Sequence, residues 1–238
     1  MVTLILSHLA AALIGYVCGA FPTGYFAGRI WNVDVRKHGS WRTGGTNVLR
    51  SAGWGAFAIT VIGDVLKGII PVLLVRWFLP DQDWAQALTV LGVLVGHNWS
   101  IWIAAIAKPD SRITFSRPPL GWIQRIMQQG RGGAGVATTA SAMLALFPPI
   151  VLVMVGPIIL LLVITRYASV ASLTTAAVSP FVMLLFVLNG SAPWSFFVLN
   201  VVVSVIIVVV HIPNIQRLRA GTERRFGQRL SDRRRDKS

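Results

Sequence analysis

Acidic residues are scarce in this 238-residue chain: eight Asp and Glu stand against 22 Lys and Arg, for a formal net charge of +14 at pH 7. Carboxylates so few and so dispersed exclude a carboxylate-bound metal centre. The one cysteine, Cys18, lies in an apolar run, which removes both a disulfide framework and a cysteine metal site and leaves the redox compartment unindicated. The sequence has no Walker A spacing, no HExxH pair and no GxSxG elbow. Charged residues of all kinds make up only 13% of the chain, hydrophobic ones reach 54%, and mean hydropathy is +0.66, far from a soluble domain. A basic excess often signals nucleic acid, but that reading needs a water-facing domain to carry the charge. Outside loops and tail none exists, so nucleic acid is not an expected partner.

What is present is a membrane-spanning pattern. Seven apolar segments, near 4–30, 54–79, 85–107, 134–148, 149–165, 169–190 and 194–211, are long enough, or nearly so, to cross about 30 Å of hydrocarbon as helices. The fold class is therefore an all-α integral membrane protein of about seven transmembrane helices. The fourth and fifth segments are short and require Pro148-Pro149 to act as a turn; if those prolines only kink one helix, the count falls. The first run lacks a basic n-region and is too long for a signal peptide, so it reads as a retained helix kinked at Pro22. Its Gly15-x-x-x-Gly19 and Gly24-x-x-x-Gly28 pairs suit close helix packing.

The loop charges test that count. Arg29, Arg36, Lys37, Arg42 and Arg50 lie between the first two segments, and Lys108, Arg112, Arg117, Arg125 and Arg131 between the third and fourth. Arg166 lies between the fifth and sixth, and all other basic residues follow His211, except Arg76 in an opposite gap and Lys67 inside a span. Lys and Arg in short loops mark the cytoplasmic side, which puts the N-terminus outside and the C-terminus in the cytoplasm. The chain divides into a transmembrane domain, 1–211, carrying a cytoplasmic or interfacial insertion at 108–131, and a basic cytoplasmic tail, 212–238. In the insertion Trp122, Ile123, Ile126 and Met127, with Arg125 beside them, fit one face of an interfacial helix or, equally, a solvated loop. The tail suits either attraction to anionic lipid or a plain topology signal.

One cytoplasmic loop, from His38 to Gly53, has a chemical composition of its own. Gly39, Gly44 and Gly45 permit backbone shapes in which successive amides converge on an anion, and Ser40, Thr43, Thr46 and Asn47 are short donors. Arg42 and Arg50 offer the charge-assisted hydrogen bonds that phosphate oxygens prefer. If Asn47 or Ser51 opens the next helix, its positive end points at the same place. An ordinary interfacial loop resting on lipid headgroups fits these residues as well. A second such segment, Arg131, Gly132, Gly133, Ala134, Gly135 through Thr138, leads into an apolar helix. Gly96-His97-Asn98 ends or interrupts the third apolar run, and His97 there is either a phosphate donor or acid–base group, or a helix-terminal histidine bonded to a carbonyl. Asp64 and Lys67, three apart in an apolar helix, pair with each other or face a polar cavity. His211 to Leu218 brings more polar groups to the end of the last span. Chemistry from such parts works through fixed dipoles and cations on a phosphorylated substrate with its own leaving group, and no cofactor is expected.

In order and spacing these pieces resemble the bacterial acyl-phosphate:glycerol-3-phosphate acyltransferase family, over nearly the whole chain. The family's first loop, Gly-Ser-Gly-Asn-x-Gly-x-Thr-Asn-x-x-Arg, is matched by Gly39, Ser40, Gly44, Thr46, Asn47 and Arg50. Asp-x-x-Lys-Gly-x-x-Pro is matched by Asp64, Lys67, Gly68 and Pro71, and Gly-His by Gly96 and His97. Gly-Gly-x-Gly-x-Ala-Thr is Gly132 to Thr138, and Thr-Arg-Tyr-x-Ser-x-x-Ser runs from Thr165 to Ser172. His-x-x-Asn-Ile-x-Arg-Leu, then Gly-x-Glu, is His211, Asn214, Ile215, Arg217, Leu218, Gly221 and Glu223.

The resemblance implies transfer of a fatty acyl group from acyl phosphate to glycerol 3-phosphate, giving lysophosphatidate and phosphate in phospholipid synthesis at the bacterial inner membrane, with the site facing the cytoplasm. Ser40, Thr46, Asn47 and Arg50 would bind phosphate, and His211 and Asn214 would complete the site. A substrate phosphate oxygen would take the hydroxyl proton, and coenzyme A, ATP and acyl carrier protein would not be needed. The chain also departs from the family pattern. Trp41-Arg42 replaces Gly-Asn, Ala134 replaces the lysine of Gly-Gly-Lys-Gly, and Ile212 replaces an arginine. Between His97 and Gly132 lie 34 residues, where the family has a short link. These departures keep two other classes open. One is a catalytically silent or altered-acceptor homologue that binds phospholipid precursors. The other is an anion transporter, against which the clustering of charge on one side argues.

Overall fold

The computed structural model describes residues 1–107, 116 and 119–228, and among these every regular element is helical. Lys108, Arg112 and Arg117 of the insertion, and the tail from Arg229 onward, lie outside the described residues. The first apolar run forms α1 (Val2–Gly19) and α2 (Thr23–Ile30), broken where Pro22 cannot donate a backbone hydrogen bond. The Phe21 carbonyl at this break is taken up by Lys67 Nζ at 2.9 Å. A single 3-10 turn (Val35–Lys37) follows, capped by Asp34, whose carboxylate accepts from the Arg36 amide and pairs with its guanidinium at 2.9 Å. That pairing holds the Asp34 carboxyl below the usual carboxylate range.

The next helices are α3 (Gly45–Ala52), α4 (Trp54–Phe78), α5 (Asp83–Asn98), α6 (Ile101–Ile106) and α7 (Leu120–Gln129). They are followed by α8 (Val136–Leu146), α9 (Pro148–Thr165), α10 (Ala168–Leu188), α11 (Trp194–Val210) and α12 (Ile212–Arg219). Four stretches are long and apolar enough to cross a bilayer: Val2–Ile30, α4, α9 and α10; α11 and α12, bent by 55° at His211, make a fifth as a pair. Pro148 opens α9 at its first turn, where a missing amide costs nothing, so Pro148-Pro149 is a turn between two helices rather than a kink in one. The third apolar run, placed over 85–107, is interrupted at Gly96-His97-Asn98, where α5 ends. Trp99 then pairs as an isolated bridge with Arg131, and only the short α6 follows. The Trp122 segment is helical, as α7, with Arg125 over the Trp122 ring and bonded to the Ala107 carbonyl at 2.8 Å.

Two glycine stripes set the packing of α1 on α5. A β-carbon on Gly15 or Gly19 would collide with the carbonyls of Thr89 and Val93, and one on Gly92 or Gly96 with those of Ala12 and Tyr16. The two backbones therefore touch directly, the small-residue packing available where lipid offers no hydrophobic drive to association. The Gly24 and Gly28 pair serves a loop rather than a helix, lying against the Thr43 carbonyl and Val35. The main core joins α4, α5, α8, α10 and α11 through Val72, Val93, Leu94, Ala142, Met183 and Leu199. Because α5 ends at the site described below, its seat against α1 fixes that site's floor. Gly92→Val should lower the stability of the detergent-solubilised protein by about 2 kcal/mol through overpacking, read by thermal unfolding; an unchanged midpoint would contradict backbone contact.

Candidate active site at two glycine loops

The loops at His38–Gly45 and Gly130–Gly135 come from opposite ends of a long sequence gap and meet backbone to backbone. A β-carbon on Gly44 would sit 2.9 Å from Gly133 Cα and 3.6 Å from the Ala134 nitrogen, so neither loop leaves room for a side chain at the contact. Each opens a helix: Gly44 precedes α3, and Gly135, with φ 81°, precedes α8. Among the described residues nothing accepts from the amides of Gly133, Ala134 or Gly135. Two positive helix ends and amides without an acceptor among the described residues thus stand at one contact, an arrangement suited to anions.

The first loop is shaped by Asn47. Its Oδ1 accepts from the Ser40 amide at 2.9 Å, and its Nδ2 faces the carbonyls of Val35, His38 and Arg42 at 2.9, 3.1 and 2.8 Å. The expected phosphate donor is instead the buried brace that curls the loop, its polar atoms spent on backbone. Gly39 (φ 60°) and Trp41 (φ 61°) flank Ser40, both in the left-handed region. Trp41 adopts there the conformation a glycine would take, with its ring largely exposed. Ser40, Arg42 and Thr46 are half-buried, with Thr46 in the first turn of α3.

Arg42 reaches across to the second loop, donating to the Gly133 carbonyl at 3.3 Å. Burial, then the charges of Arg131 and Arg217, pull it below the ordinary arginine range, though an arginine stays cationic in proteins. The second loop is stitched to the end of α5: the Gly132 amide donates to the Asn98 carbonyl at 3.0 Å and the Ser100 amide to Gly130 at 2.8 Å. His97 lies beneath this seam, 6% exposed, its Nε2 against Gly133 and its Nδ1 3.1 Å from Thr138 Oγ1. Asp64 stands 3.8 Å from the same nitrogen and pairs with Lys67 at 2.9 Å and with Thr23. So His97 supports the loop from below, and the expected direct phosphate contact gives way to that role.

His211 is buried at the bend between α11 and α12. Its Nδ1 lies 2.8 Å from the Ile207 carbonyl, which can only accept, so the neutral ring carries its proton there and leaves Nε2 with a free lone pair. In that tautomer the ring is a proton acceptor that motif spacing did not reveal. Asn214 is a step removed: its Nδ2 donates to Glu223 Oε1 at 2.9 Å. The buried Glu223 also takes Arg217 at 2.7 Å and Ser169 at 3.2 Å, and it is the nearby carboxylate that already has its cation. Arg224 was not expected in the site. Its Nη2 donates to the Gly39 carbonyl at 3.2 Å, and its own carbonyl accepts from Arg50 Nη2 at 3.4 Å.

Fold and site together define an all-helical membrane protein in which two glycine loops meet at helix ends. The family model described as glycerol-3-phosphate acyltransferase matches residues 9–106 and 118–221, and the chain belongs to that family. Residues 107–117, which include the first part of the expected insertion at 108–131, fall between the two matched stretches. Similar proteins include a glycerol-3-phosphate acyltransferase of Rubrobacter xylanophilus, 38% identical over 91% of this chain and 94% of the relative. One of Synechococcus sp. (strain CC9902) is 35% identical over 95% and 98%. The fold is similar to a crystal structure of PlsY (YgiH), an integral membrane glycerol 3-phosphate acyltransferase in its glycerol 3-phosphate form. The TM-score is 0.74 at 26% identity, covering 92% of this chain and 96% of that one.

One measurement checks this geometry. Trp41→Gly should raise stability by about 1 kcal/mol by relieving the left-handed backbone, seen as a higher unfolding midpoint.

Proposed function

We propose that this chain transfers a fatty acyl group from acyl phosphate to the hydroxyl of glycerol 3-phosphate, releasing phosphate and lysophosphatidate for phospholipid synthesis. The observation that carries it is the Gly44–Gly133 contact, which brings two helix N-termini together with Arg42 and leaves Glu223 occupied elsewhere. The two loops hold two phosphoryl groups, one from each substrate. The glycerol hydroxyl oxygen forms the ester bond to the acyl carbon as the bond from that carbon to the phosphate oxygen breaks. Nε2 of His211 accepts the hydroxyl proton, which departs on the released phosphate. Loop amides and Arg42 stabilise the charge that develops, the term that does most work in acyl transfer. No resident metal or cofactor is needed, because the leaving group arrives on the donor.

The acyl chain takes the apolar cavity of about 150 Å³ between α8, α9, α10 and α11, lined by Val136, Met143, Met154, Ile158, Val203 and Ile207. It starts beside the second glycine loop, at the first residue of α8, and beside Ile207, which holds His211. The charge pattern supports seven crossings with the N-terminus outside and the site facing the cytoplasm of a bacterial cell, in its inner membrane. The basic tail then lies on the anionic inner leaflet. The family resemblance assigns a lysine to the position of Ala134. In this chain the cation at that loop comes from Arg42, reaching over from the other side.

Purified protein given acyl phosphate and glycerol 3-phosphate should release phosphate and form lysophosphatidate. Substrate-dependent thermal stabilisation without product would instead favour a silent homologue, and flux of a phosphorylated solute into liposomes a transporter. Arg42→Ala should cost about a hundredfold in kcat/KM, and adding Ala134→Lys to it should restore part of the loss. Equal rates for the single and double variants would show that Arg42 does not stand in for the missing ammonium.

A further inference from the structure

The apolar cavity between α8, α9, α10 and α11 has an open end and a closed one. Its mouth lies at Val136, the first residue of α8 after the second glycine loop, and at Ile207, whose carbonyl holds His211. From there it follows α8 down to Met143 and α11 back to Asn200. Both paths cover the same number of residues, 136 to 143 and 207 to 200, a depth of about 10 Å at the helical rise. Met143, Ile150 and Asn200 meet at the far end, and all are buried. The Asn200 amide is fixed there, donating to the Phe196 carbonyl at 2.8 Å.

Behind this floor stands an aromatic plug. Phe147 is one turn beyond Met143, its amide on the Met143 carbonyl, and Phe196 is one turn beyond Asn200 on the same face of α11. Phe186 lies two turns past Ser179, which lines the cavity from α10. The rings pack together, Phe147 with its centroid 5.1 Å from Phe186 and 6.1 Å from Phe196. The side towards α9 is looser, because Val155 lines the cavity and is also 43% exposed. Ala140 stands on the α8 wall between mouth and floor, about 6 Å below Val136.

We propose that this cavity measures the acyl chain: Met143, Ile150 and Asn200, backed by the Phe147–Phe186–Phe196 plug, are its chain-length determinants, and they end the straight path of a fatty tail about 10 Å below the glycine loops. Each methylene above the floor gains contact with the wall. The next one has to displace a close-packed ring or a fixed amide, which dense packing resists, so the rest of a longer tail bends out past Val155 into the bilayer. The inference rests on the acyl-transfer reading for the head group of the ligand, not for its tail.

Turnover of donors from butyryl to palmitoyl phosphate by the full-length protein in detergent tests this. The ratio of variant to wild-type kcat/KM is taken at each length, so that partition of the donor into micelles cancels. Ala140→Leu should put a step in that ratio, donors long enough to pass position 140 losing roughly tenfold more than the shortest. Ala140→Val should place the step at the same length with a smaller drop, which keeps the test if the leucine variant does not fold. Met143→Ala should give a step of opposite sign at a longer donor, a gain of roughly tenfold. A general folding defect lowers every length alike. The n-alkyl phosphates of the same lengths carry no acyl group to transfer, and their protection against thermal unfolding should show the same steps. Ratios flat across the series, steps at one length for positions 140 and 143, or no protection of the wild type at any length would each overturn the assignment. If the wild type forms no lysophosphatidate, the acyl-transfer reading fails and the protection series alone decides the length limit.

Discussion

The contact between Gly44 and Gly133 is the constraint on which the rest of the structure depends. At 2.9 Å from the opposing α-carbon, a β-carbon on Gly44 has no space, and one on Gly133 would also strike His97 Nε2. Closing two loops this tightly brings the first turns of α3 and α8 to one contact and leaves the amides of Gly133, Ala134 and Gly135 without an acceptor among the described residues. Amides at helix starts arranged in this way favour an anion.

Each loop needs its own scaffold. The second hangs from the end of α5 through Asn98, Ser100 and the Trp99–Arg131 bridge, and α5 is held in turn by direct backbone contact with α1. Beneath it, Asp64, Lys67, Thr23, His97 and Thr138 form a polar cluster joining α2, α4, α5 and α8. A buried carboxylate with so many donors is tolerable in apolar surroundings, whereas one losing its lysine is not. The first loop is held by one side chain, Asn47, and by the contacts of Arg224 with Gly39 and Arg50. The pocket therefore joins parts that are remote in the chain, and motion of any one scaffold would open the seam.

Much of this was legible in the sequence, for local reasons. Glycines at 39, 44, 132, 133 and 135 marked the loops because only they allow the approach, and Pro148 marked a helix start because its ring permits little else there. Asp64 and Lys67 announced a pair because neither charge is affordable alone. Less legible were features that need a partner from elsewhere. The packing of Gly92 and Gly96 needs Gly15 and Gly19 of another helix, and Gly96-His97-Asn98 marked an interruption of the third run without showing that Trp99 would pair with Arg131. Asn47 and His97 had the chemistry of phosphate donors, but burial gave both to the backbone and the loop floor. Arg224, one of many basic tail residues, differed from Arg225 only in the direction a turn at Gly221 sent it.

The departures from the family pattern follow from the same seam. A lysine at position 134 would place its ammonium on the second loop; with alanine there, the loop keeps its shape, since Gly133 and Gly135 carry the conformation. A cation is still present at that loop, because the Arg42 guanidinium crosses the seam to bond the Gly133 carbonyl. Trp41 then occupies a left-handed position whose strain the loop tolerates because Asn47 braces both its flanks. The guanidinium at the seam thus belongs to the first loop, which carries Arg42, and reaches the second only because Gly44 and Gly133 hold the two in contact.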